Sequence, residues 1–216
     1  MLHASVSGSG RRQSGVALGG REPDLMGRAI KGLQRICLKL YAPEPGIGDQ
    51  AFVPIFHEWI RDQALEDLVL FDVADYAHVP ESPGIVLVTH EASFSLDRSD
   101  GLFGIMVQRR VNGSGEASDM IATTLRHVLQ VADKLEDDHR LAGKLAFDRS
   151  RVMIEANDRL RAPNTDEGYR ALEPVVSTAI RTVFADSTLR VTRVTNDPRD
   201  RLAADVRIGV ASTRAP

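Results

Sequence analysis

The chain is poor in several things at once. It has one cysteine, Cys37, so no internal disulfide can staple it, and a reducing, cytoplasmic setting is expected. Only 5% of its residues are aromatic. That is too few for a base-stacking surface, and the formal charge of −3 is the wrong sign for tracking phosphates. Nucleic acid is therefore a disfavoured partner. No apolar run approaches the ~20 residues a membrane-spanning helix needs. The sequence contains no G-x-x-x-x-G-K-[ST] loop, and no glycine-rich turn sits between a strand and a helix as a dinucleotide fold requires, so no nucleotide cofactor is indicated. It has no H-E-x-x-H, C-x-x-C or G-x-S-x-G either.

What remains is ordinary globular material: 216 residues, 43% hydrophobic and 26% charged. The charge is unevenly laid out. Residues 1–43 carry a net +5, residues 44–142 a net −11 and residues 143–216 a net +3. Such a division suits head-to-tail association or a charged protein partner. Arginines cluster in the last third at Arg149, Arg151, Arg159, Arg161, Arg190 and Arg193, an alternative place for a small anionic ligand.

Residues 1–26 read as a Gly/Ser/Arg-rich tail without apolar periodicity. The Arg-rich, acid-poor composition suits a transit segment as well as a plain tail, and Met26 offers a second start. Residues 27–216 read as a single α+β domain, ordered from about Leu33. Strands are predicted at Arg35–Tyr41, Asp67–Val79, Ile85–Leu96 and Leu102–Val111, with a helix at Asp49–Gln63 whose stripe is Phe52, Ile55, Phe56, Trp59 and Ile60. A long helix, Ala117–Leu141, joins this half to a second one. There a strand (Arg151–Asn157), a helix (Asp166–Ala185, with Pro174 kinking it or delaying its start) and two strands (Leu189–Thr195, Leu202–Val210) follow.

The halves, about 33–111 and 151–210, thus read as two βαββ-type units. At an offset of 117, Asp49 falls on Asp166, Phe52 on Tyr169, Ile55 on Leu172 and Trp59 on Val176, as an internal duplication would place them. The expected architecture is ferredoxin-like: a mainly antiparallel sheet with helices packed on one face.

The densest chemistry lies on the first predicted hairpin. If a turn at Pro80–Gly84 pairs Val79 with Ile85, Ala74 faces His90 and Tyr76 faces Val88. Asp72, Tyr76, His78 and His90 then share one face, with Glu91 beside them. An imidazole held by a carboxylate is a general base near neutral pH. His78, His90 and Asp72 could equally hold a metal with open positions. His57 and His127 fall off their helical stripes, His139 falls near one, and Cys37 reads as a small buried residue.

Two functions compete. The first is a soluble non-catalytic module that works through homo-oligomer or protein-partner contacts at exposed sheet edges. The second is a small metal-binding protein or enzyme with its site on that hairpin. The sequence alone leaves open whether the protein is an enzyme.

Overall fold

The structure, a computed structural model, describes residues 25–76, 78–79, 82–110, 115–141 and 143–210. Most of the predicted tail lies outside these residues. Eight strands form one sheet in the order β2-β3-β4-β5-β1-β6-β8-β7, and every neighbouring pair is antiparallel. The strands are β1 (Ile36–Tyr41), β2 (Leu70–Asp75), β3 (Ile85–Thr89), β4 (Ala92–Asp97), β5 (Gly104–Arg109), β6 (Asp148–Ala156), β7 (Ser187–Arg193) and β8 (Ala203–Val210). Four helices accompany them: α1 (Leu25–Lys31), α2 (Val53–Asp62), α3 (Ala117–Asp137) and α4 (Asp166–Val183). The fold is α+β with a large antiparallel sheet.

Register decides where the core sits. Leu38 stands opposite both Val107 and Ile154, and Leu40 opposite both Ile105 and Val152. Leu87, Phe94 and Val206 belong to the same side. These residues join one apolar cluster with Phe56 and Trp59 of α2, Leu125 and Val128 of α3, and Leu172 and Val176 of α4. The helices therefore cover one face of the sheet. Asp49–Phe52 forms a short 3₁₀ turn into α2, and Pro54 sits in that helix's first turn, where its missing N–H costs nothing. The Thr165 hydroxyl caps α4 by accepting from the Gly168 N–H at 3.0 Å. Pro174 neither stops α4 nor delays its start.

Several expectations need correction. Order begins before Leu33: α1 starts at Leu25 and buries Ile30 against α4. The predicted strand Ile85–Leu96 is two strands, because Thr89 turns the chain. Its buried hydroxyl donates to the Ala92 carbonyl at 2.9 Å and accepts from the Ala92 N–H at 3.0 Å. That closes a tight bend over His90 and Glu91. The predicted strand Asp67–Val79 is only Leu70–Asp75, and the α3 helix ends at Asp137 rather than Leu141. His127 is buried, not solvent-facing, because α3 packs against both the sheet and α4 and so buries more than one stripe. His139 lies past the helix and is exposed.

Candidate functional site

The first hairpin does not pair as the sequence suggests. Ile85 faces Asp75 instead of Val79, Val86 faces Ala74 and Val88 faces Asp72. The connection is longer than a five-residue turn. It begins at Tyr76, whose N–H donates to the Gly84 carbonyl at 2.9 Å, and the Ser82 hydroxyl bonds back to the Tyr76 carbonyl at 2.6 Å. Gly84 closes it at φ 66°, a left-handed value that favours glycine. A shift by an even number keeps each strand residue on its face but moves partners apart. Asp72 and His90 are exposed, His78 lies in the connection, and His90 stacks obliquely on Phe71 with ring centroids 6.3 Å apart. Glu91 turns to Arg109 at 3.3 Å. The five candidates are thus not gathered, and among the described residues no group of three His, Cys, Asp or Glu could hold a metal ion.

The Arg cluster is dispersed as well. Arg149 binds Asp133 and Glu136, Arg151 binds Asp205, Arg161 binds Asp158, and Arg193 binds Asp166 and Asn164. Arg159 donates to the Arg199 carbonyl, and Arg190 lies exposed on β7.

What the fold does gather is the sheet face away from the helices. The registers set two rows across it. One runs Asp72, Val88, Ser93, Gln108, Cys37, Glu155, Ala203; the other runs Ala74, Val86, Ser95, Met106, Lys39, Met153, Asp205. The β2–β3 connection and the Asn196–Arg201 loop overhang these rows. Beneath them lie two adjoining clefts of about 350 and 520 Å³ that share Pro83, Asp97, Met106 and Gln108. Of the five candidate site residues on the hairpin, only Tyr76 lines this space.

A buried charge network anchors one rim. Lys39 is fully buried, and its ammonium donates to Asp97 at 2.6 Å, to Asp100 at 2.5 Å and to the Leu102 carbonyl at 2.7 Å. All three ammonium protons therefore have partners. The Tyr41 hydroxyl donates to the other Asp100 oxygen at 2.9 Å, and the Arg151 guanidinium lies 4.1 Å above the Tyr41 ring. Burial and the Asp100 hydrogen bond push the Tyr41 phenol above its ordinary range. Burial opposes ionisation of Asp100, but hydrogen bonds from Lys39 and Tyr41 outweigh it and hold the carboxyl below its ordinary value. Gly104 makes room for this: a Cβ there would lie 2.4 Å from the Leu40 carbonyl and 2.9 Å from Lys39 Cε.

Cys37 lies next in line, under Arg201, whose guanidinium approaches its sulfur at 3.4 Å. Burial pushes the thiol up to about 12, so it is neutral and unsuited to nucleophilic work. Sequence reasoning missed Lys39, Asp97 and Gln108. The only available signal was the alternation of β1, which sets Cys37, Lys39 and Tyr41 on one face.

No protein-family model matches this chain, and no curated protein matches its sequence.

Proposed function

We propose that the chain is a non-catalytic α+β module that works by sheet-edge contact, in which the free edge of β2 takes the β7 edge of a second copy. One observation carries this reading. Of the seven exposed large apolar side chains among the described residues, four (Val69, Phe71, Tyr76 and Val79) flank or lie on β2. An edge strand with exposed apolar side chains is a pairing surface that soluble proteins ordinarily blunt; here side chains occupy the backbone at Leu70, bonded by Gln63, and at the Val73 N–H, bonded by Asp72. Charge selects the partner. Glu66, Asp67, Asp72 and Asp75 make the β2 edge acidic, which opposes pairing of β2 with itself. The opposite edge of the sheet carries Arg190, with Arg207 beside it on β8, and its strand is similar in length to β2. Head-to-tail addition therefore extends the sheet from copy to copy.

Light scattering coupled to size exclusion tests the reading. The expected result is a mass above one 23.7 kDa chain, reduced by Phe71→Lys and by salt. Leu160→Lys, on the loop before α4, should leave the mass unchanged. A single-chain mass at every concentration and at low salt sinks the proposal.

We also read the two halves as related copies, each a ferredoxin-like βαββ unit. Supporting this, β8 lies between β6 and β7, and β5 lies between β1 and the rest of its half. In each half the strand after the helix is the outer edge, and β1 and β6 meet at the middle. The β3–β4 hairpin is then an addition to the first copy.

A further inference from the structure

We propose that the cleft on the open sheet face binds a nucleoside: an uncharged, flat base read by Gln108, with its pentose hydroxyls toward Glu155 and Asp200. The inference is independent of the edge contact and goes beyond it.

The first support is unused hydrogen-bonding capacity. Among the described residues, the Gln108 amide and the Ser93 hydroxyl have no hydrogen-bond partner, although both line the cleft and face each other across β4 and β5. A carboxamide offers a donor and an acceptor side by side, which matches the paired donor and acceptor on a base edge. Half of the residues that line this cleft are apolar or aromatic. Val86, Val88 and Met106 form the floor, with Pro83 and the Tyr76 ring at the rim. Such a surface suits a flat heteroaromatic face better than a polyol.

The second support is charge. Among the described residues near the cleft, Lys39 and Arg201 are paired with carboxylates, and Arg110 uses one nitrogen on backbone carbonyls. Lys39 has its three partners, Arg110 donates to the Thr89 carbonyl at 2.7 Å, and Arg201 binds Glu155 at 3.2 Å and approaches Cys37. The Asp200 carboxylate, by contrast, accepts no hydrogen bond among the described residues. At that end of the cleft the free acceptor suits hydroxyl donors and opposes a phosphate.

The third support is span. Gln108 and Glu155 lie in one row with Cys37 between them. That is two strand spacings, about 10 Å, the reach of a base joined to one pentose. Gln108, Glu155 and Asp200 line one and the same cleft, with Arg201 lying over Cys37 between the first two.

The test is saturation-transfer NMR on the intact chain with adenosine, guanosine, cytidine and uridine as separate probes at millimolar concentration, and ribose and the four 5′-monophosphates as comparisons. At least one nucleoside should receive saturation, strongest at its base protons. Its 5′-monophosphate should bind more weakly. Gln108→Ala should weaken the nucleoside about tenfold, and Asp200→Asn should weaken it with the base contacts retained; circular dichroism checks that both variants are folded. No transfer to any nucleoside overturns the proposal. So does ribose binding as well as the nucleosides, tighter binding of a monophosphate, or a folded Gln108→Ala that binds as the parent does.

Discussion

Replacing Lys39 by methionine should cost the protein about 3–5 kcal/mol, the usual penalty for removing one partner of a buried ion pair. The magnitude follows from what is left behind. The Asp97 side chain is 8% exposed and loses its ammonium donor, and the Leu102 carbonyl loses a hydrogen bond worth about 1 kcal/mol. Asp100 is 30% exposed, so water screens its share and it adds little. Methionine fills nearly the same volume, so no cavity term enters. Guanidinium unfolding followed by Trp59 fluorescence measures the loss, since Trp59 is the only tryptophan and is buried. The loss also has a pH signature. The folded-state value of Asp100 is held down, so its contribution is present above the unfolded carboxylate value of about 3.9 and is lost as pH falls through the folded value. The small share of the gap that Asp100 carries should therefore disappear below about pH 4. Lys39→Met combined with Asp97→Leu should recover part of the loss, because no buried charge is then stranded. A Lys39→Met variant within about 1 kcal/mol of the parent at neutral pH would refute the reasoning.

Three further outcomes follow from other contacts. Gly104→Ala should destabilise by at least about 2 kcal/mol, because the new methyl meets backbone at Leu40; thermal unfolding checks it, and an unchanged midpoint counts against the packing described. The Cys37 thiol should resist Ellman's reagent at pH 8 in the native protein and react at once in denaturant, since burial raises it to about 12; rapid native labelling would show that the cover over β1 opens. Burial lowers the His127 imidazole, so the unfolded chain binds the proton more readily, and stability should fall as pH drops through about 6.5. His127→Leu should flatten that slope, and an identical pH profile in the variant would rule the residue out as its source.

The helices were largely legible because each carries a long apolar stripe. Ile121, Leu125, Val128, Ala132 and Leu135 of α3 are all fully buried, as their spacing predicts. Phe56 and Trp59 belong to the core for the same reason, and Cys37 is buried as read. The hairpin failed at the points where local pattern carries no register. Nothing in Tyr76–Gly84 announces where pairing stops, and Thr89 looks like any β-branched strand residue until its hydroxyl is seen to close a turn. The open face was harder still. The alternation of β1 sets Cys37, Lys39 and Tyr41 on one face, but every residue of the strand is buried, and the pattern does not say that Lys39 is enclosed. Its burial depends on Asp97 and Asp100, 58 and 61 residues away, and no short window along the chain contains all three.

The placement of that lysine links the fold to the cleft. A sheet covered by helices on one face must either solvate the other or shape it. Here the central strand β1 places an ammonium where a hydrophobic residue would otherwise invite a second layer. The two aspartates that neutralise it come from the end of β4 and the turn that follows. The turn is thereby tied down onto the sheet, and the Arg98 it carries reaches Glu44 and Asp49 across the molecule's edge. The open face is consequently cross-linked at Lys39, while its accessible polar groups, Ser93 and Gln108, lie one row away and unspent. A network serving stability alone would leave those groups paired or apolar; their exposure to a cleft is the feature that a ligand would explain.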